Sequence, residues 1–172
     1  MRKKPTQDLS TLSPEQRVQR AYNDAIRLLG RRDHSVFELS RKLTIREHTD
    51  EAIQSALEEL QQLNYVNDAR YAKLYTEQRL ERGYGPLSVR ARLRQRGIAS
   101  TLVNEALAAQ NANWAELAQI ALENRFDEQT INSLEQRDVA RISRFLSTRG
   151  FQTGDALRAL TLSRKQSRGR SS

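Results

Sequence analysis

The sequence predicts an all-α protein built from tandem three-helix repeats, and three observations carry that expectation. Gly (7) and Pro (3) are scarce in 172 residues, whereas β-rich chains need turn residues at short intervals. Leu, Ala, Arg, Glu and Gln, all good helix formers, dominate. Apolar residues are only 37% of the chain but recur at helical spacing.

Nine helical segments follow from periodicity and punctuation. Ser13-Pro14-Glu15-Gln16 opens the first, with Ser13 as N-cap, Pro14 at the first helical position and Gln16 completing a capping box. Its stripe is Val18, Ala21, Tyr22, Ala25, Leu28 and Leu29, with Gly30 as the stop. Ser35-Val36-Phe37-Glu38 is a second capping box, and Phe37, Leu39 and Leu43 point inward. Thr49 caps the third segment, which carries Ile53, Ala56, Leu57 and Leu60. The fourth covers about 68–82, and the fifth starts near Pro86 and stops at Gly97. Ser100 caps the sixth. The seventh covers about 114–126, the eighth 136–149 with Gly150 as stop, and Thr153 caps the ninth.

An internal repeat underlies these segments. Leu39, Leu43, Ile53, Ala56 and Leu57, shifted by 50 residues, become Val89, Leu93, Val103, Ala106 and Leu107. A further shift of 53 gives Ile142, Leu146, Ala156, Ala159 and Leu160. Gly97-Ile98 and Gly150-Phe151 punctuate equivalent places; the first repeat has Thr44 to His48 there instead. The expected organisation is a basic N-terminal arm at 1–13, three-helix repeats at 14–63, 68–110 and 113–165, and a basic disordered tail at 166–172. Units near the lower size limit for independent folding lean on their neighbours, so an elongated, curved, solenoid-like chain is expected.

The chain has no Cys and 2 His, which excludes disulfides, thiolate metal sites and a cysteine nucleophile. His34 and His48 are not expected to hold a metal, and no nucleophile and base can be paired, so neither an enzyme nor a cofactor is expected. No apolar run reaches bilayer length. The basic start has no apolar stretch behind it, so a secretory signal is not expected. The expectation is a cytoplasmic monomer without membrane contact.

The net charge of +8 is unevenly distributed. Residues 1–20 carry +3, 79–96 carry +5 and 162–172 carry +4, while 21–78 and 97–161 each carry −2. A localised basic footprint suits a polyanion or an acidic protein face; solubility alone is the plainer explanation. In the fifth helix Arg90 and Arg94 lie about 40° apart, and Arg92 and Arg96 flank the other side of the Val89/Leu93 stripe. Arg79 and Arg82 precede them, with Glu81 as the one local acid. Guanidinium suits bidentate contact with phosphate or carboxylate. Arg82-Gly83-Tyr84-Gly85-Pro86 is structural punctuation rather than a nucleotide loop, with Tyr84 a candidate exposed contact. Tyr71 and Tyr75 are expected in the core, and Trp114 between repeats.

Several runs resemble the bacterial RecX family. Arg32-Asp33-His34-Ser35, Glu38-Leu39 and Arg41-Lys42-Leu43 resemble its first repeat. Tyr65-Val66-Asn67-Asp68-Ala69-Arg70-Tyr71-Ala72, then Arg79, Gly83-Tyr84-Gly85-Pro86, Arg90, Leu93 and Gly97-Ile98, are similar to its second. Arg144-Phe145-Leu146 with Arg149-Gly150-Phe151 looks like its third. The terminal arms fall outside the pattern. The resemblance implies a regulator of the RecA recombinase that lodges in the groove of the RecA–DNA filament. It implies inhibition of ATP hydrolysis, strand exchange and stimulated repressor self-cleavage, hence a role in recombination, DNA repair and the SOS response. The candidate contacts to RecA or DNA are Arg70, Arg79, Arg82, Tyr84, Arg90, Arg92, Arg94 and Arg96. The alternative is a basic helical protein that acts on single- or double-stranded DNA directly.

Overall fold

The computed structural model describes residues 12–170, with side chains described through 166. Among these the chain is helical without a strand. The helices are α1 (Pro14–Leu29), α2 (Val36–Thr44), α3 (Asp50–Gln62), α4 (Asp68–Glu81), α5 (Pro86–Gln95), α6 (Ser100–Ala108), α7 (Trp114–Glu123), α8 (Glu128–Asn132), α9 (Gln136–Arg149) and α10 (Thr153–Arg170). Residues up to Tyr71 and from Ala72 onward form two compact units.

In the first unit the helix starts follow the caps read from sequence. Gln16 N donates to Ser13 Oγ at 3.3 Å and Glu38 N to Ser35 Oγ at 3.1 Å, each reciprocated by the third-residue side chain. Thr49 Oγ1 accepts from Ala52 N at 3.4 Å. Ala21, Ala52 and Ala56 form one small-residue cluster, while Leu28, Leu39, Leu43, Ile53, Leu57 and Leu60 fill the core. Phe37 departs from expectation: it is 44% exposed, because α2 turns Val36, Leu39 and Leu43 inward and leaves Phe37 on the outer flank beneath the Arg41 guanidinium.

The same turn closes α2, α5 and α9. A residue just past each helix has positive φ: Glu47 at 65°, Gly97 at 75° and Gly150 at 88°. The next residue's N–H returns to a carbonyl five residues back: His48 to Leu43 at 3.3 Å, Ile98 to Leu93 at 3.1 Å, Phe151 to Leu146 at 3.0 Å. This is the Schellman arrangement, with an inserted side chain after the left-handed residue. Ile98 and Phe151 are buried there, and His48 takes their place with Nε2 3.0 Å from Asp24 Oδ2. All repeat-defining apolar positions are buried except Ala156, which is half-buried.

Two expected caps move by one residue. The first intrahelical carbonyls come from Thr49, Ala99 and Gln152, so Ser100 and Thr153 are first helical residues rather than caps. Burial of Ile98 and Phe151 aims the chain into these helices, and α6 starts without a capping side chain.

In the second unit a tenth helix, α8, was not anticipated. Asp127 Oδ1 accepts from Thr130 N at 2.7 Å, a bond that holds its carboxyl below the usual range, and Ile131 is buried. The helix is too short to show periodicity. The tail also differs: α10 continues through Arg170, so most of the segment expected to be disordered is helical. Its foundation is visible at Ser163, which donates to Glu123 at 2.9 Å, and at Arg164, which donates to the Ile131 and Ser133 carbonyls at 2.8 and 2.6 Å. Adding residues to an anchored helix costs far less than nucleating one. Residues 1–11 of the expected basic arm lie outside the described residues.

Two stability changes are expected. Leu93 is fully buried, so Leu93→Ala should cost about 2–5 kcal/mol in urea unfolding. Glu47 carries the positive φ that its counterparts assign to glycine, so Glu47→Gly should stabilise by up to about 1 kcal/mol, measured the same way.

Candidate interaction surface

The second unit gathers most of the candidate residues around the turn between α4 and α5. Gly83 has φ 73°, and a Cβ there would lie 3.3 Å from Ala121 Cβ. Gly85 N donates to the Arg149 carbonyl at 2.8 Å and Leu87 N to the Gly150 carbonyl at 3.0 Å. A Cβ on Gly85 would sit 2.4 Å from Gly150 O, and one on Gly150 2.3 Å from Ser88 N. The start of α5 is therefore pressed backbone to backbone against the end of α9.

Tyr84 is fixed at this junction by two arginines. The Arg79 guanidinium lies 3.5 Å from its ring centre and that of Arg149 lies 4.6 Å away. Arg149 also faces Phe145 at 5.2 Å and donates to the Arg82 carbonyl at 2.9 Å. On the other side Tyr75 lies near Arg79 at 5.9 Å and Arg96 at 4.7 Å. Tyr75 is thus half-buried in a row of stacked cations rather than a core residue, while Tyr71 is buried as expected. Stacking on a ring holds like charges close together and leaves guanidinium edges for phosphate or carboxylate.

The candidates separate into engaged and exposed groups. Arg70 donates to the Asn64 and Tyr65 carbonyls at 3.0 and 3.1 Å and closes the end of α3. Arg90 donates to Asn104, and Arg96 to the Arg92 carbonyl at 3.1 Å. Arg79 and Tyr84 are held in the row described above. Arg82, Arg92 and Arg94 are exposed, and their guanidiniums contact no acceptor among the described residues. Val89 and Leu93 are fully buried between these fringes.

The sequence places α9 at its observed limits but does not single out its arginines as contacts. Arg141 and Arg144 are exposed on it, Arg137 pairs with Glu135 at 2.8 Å, and Arg149 completes the Tyr84 clamp. The net charge of 97–161 concealed them, although Arg137, Arg141 and Arg144 follow helical spacing.

His34 is buried, and burial first, then Arg32, pushes its pKa down. Among the described residues no group of three His, Cys, Asp or Glu could hold a metal ion, and no helix is long and apolar enough to cross a membrane.

The junction generates a paired expectation. Gly150→Ala should destabilise by at least about 1–3 kcal/mol, from its positive φ and its contact with Ser88. Gly154→Ala, in α10 with open space around it, should instead stabilise by about 0.5–1 kcal/mol in the same urea titration.

The chain matches the family models for the first RecX three-helix domain over residues 21–60 and the second over 67–107. It is 40% identical over 129 residues to a regulatory protein RecX of Chromohalobacter salexigens, covering 75% of this chain and 83% of that one. With a regulatory protein RecX of Vibrio parahaemolyticus it shares 35% identity over 127 residues, 74% of this chain and 81% of the relative. The crystal structure of RecX from Lactobacillus salivarius superposes with a TM-score of 0.74 at 19% identity, covering 86% of this chain and 96% of that chain, which establishes a common fold. A basic all-helical chain with this domain order and this degree of identity to regulatory RecX proteins belongs to the RecX family.

Proposed function

We propose that this chain is a negative regulator of RecA that acts in the cytoplasm. It binds along the groove of the RecA–DNA filament and inhibits ATP hydrolysis, strand exchange and co-protease activity, without catalysis of its own. The observation that carries this reading is its 35–40% identity, over about three quarters of its length, to proteins named regulatory protein RecX. The exposed Arg82, Arg92 and Arg94 supply outward guanidiniums of the kind such a contact needs. The repeats of that reading are 14–63, 68–110 and 113–165.

A second reading is direct DNA binding, favoured by the exposed arginines on both α5 and α9. Titration into RecA's DNA-dependent ATP hydrolysis separates the two. Inhibition at amounts well below those that coat the DNA supports the filament contact. Inhibition only at coating amounts supports competition for DNA.

Arg92 and Arg94 are the informative pair for this assay. Arg90, bonded to Asn104, would mix folding with binding. Exposed, unpaired charges add little to stability, so Arg92→Glu with Arg94→Glu should leave circular dichroism and thermal melting unchanged. Inhibition should fall by at least about tenfold, which requires only ~1.4 kcal/mol. A folded double variant that inhibits as well as the parent would move the contact to another surface.

A further inference from the structure

A groove in the second unit lies beside the arginine row and shares Arg149 with it. It runs between the C-terminal half of α4 and the length of α7, as two adjoining depressions that share Leu80, Glu81, Leu117 and Ile120. Its floor is apolar: Ile120 is 54% exposed, and Leu80 and Leu117 are half-buried. The ends carry opposite charge. Glu77 and Glu116 line the first depression, and Arg82, Arg125 and Arg149 line the second. Both helices run from the acidic end towards the basic one. The groove follows α7 from Asn113 to Arg125, roughly 18 Å at about 1.5 Å per residue. An extended peptide of about five or six residues spans that length.

We propose that this groove docks a short segment of a protein partner, with basic residues at one end, large apolar residues in the middle and acidic residues at the other. Charge complementarity identifies the occupant. Basic side chains meet Glu77 and Glu116, with Glu81 within reach where the depressions join, acidic ones meet Arg82 and Arg125, and the apolar pair covers Ile120. A nucleic acid fits poorly, because its phosphates would repeat along the whole groove and face Glu77 and Glu116 at one end and Glu81 between the two depressions. The proposal does not depend on RecA being the protein that supplies the segment, so its test uses peptides.

Two synthetic peptides, acetyl-Lys-Lys-Leu-Leu-Glu-Glu-amide and acetyl-Glu-Glu-Leu-Leu-Lys-Lys-amide, present the two chain directions. Each is titrated into the isotope-labelled whole chain and followed by amide chemical shifts. One is expected to shift Leu80, Leu117 and Ile120 and to bind at least about tenfold more tightly than the other. Ile120→Asp, at an exposed position, should weaken that peptide by at least about tenfold with unchanged circular dichroism. Exchanging the end charges by Glu77→Lys, Glu81→Lys, Arg82→Glu and Arg125→Glu should reverse the preference. The proposal is overturned if neither peptide moves these amides at millimolar concentration. It is equally overturned if both bind alike and neither the preference nor the affinity responds to Ile120→Asp. Inhibition of RecA by a chain that binds neither peptide would remove the groove and leave the regulatory reading standing; peptide binding by a chain that does not inhibit RecA would do the reverse.

Discussion

The second unit is organised by the contact of two backbones with no side chain between them. Gly85 and Gly150 meet so closely that a single methyl group on either would overlap the other segment. Two hydrogen bonds, from Gly85 and Leu87 to the carbonyls of Arg149 and Gly150, join the start of α5 to the end of α9. That junction orients α5, and so determines where its exposed arginines point. It also places Tyr84 where Arg79 and Arg149 can stack on it. The cationic character of this surface and the fold beneath it share one origin.

The arginine-rich segment divides between architecture and display. Several guanidiniums are occupied with backbone carbonyls, amide side chains or aromatic rings: Arg70 with the end of α3, Arg90 with Asn104, Arg96 with Arg92 and Tyr75. Stacking suits this duty, because a guanidinium keeps its edges polar while its face is dry. Arg82, Arg92 and Arg94 remain outward. A count of basic residues therefore overstates the surface available to an anionic partner on α5, and the net charge of 97–161 understates it on α9.

The Schellman turns that close α2, α5 and α9 show how a repeat can persist while its residues change. Backbone geometry demands a left-handed residue and then an inserted side chain. Gly97-Ile98 and Gly150-Phe151 meet both demands directly. Glu47-His48 meets them at the cost of a strained glutamate and a buried imidazole, which finds a partner in Asp24.

Helix type, most helix limits and the buried stripe were legible in the chain itself, because they rest on local spacing and capping: Ser13, Ser35 and Thr49 cap as read, and Leu39, Leu93 and Leu146 are buried as read. The family was legible too, in the order of its short motifs. What stayed hidden was non-local. Nothing near Tyr84 in the sequence announces Arg149, which reaches it only because Gly85 and Gly150 let two turns touch. The outward position of Phe37, the short α8 and the helical continuation of the tail likewise depend on packing partners distant in sequence. Spacing along a helix says which residues share a face; only the neighbouring helices decide which face is buried, which arginine is held and which is left to meet a partner.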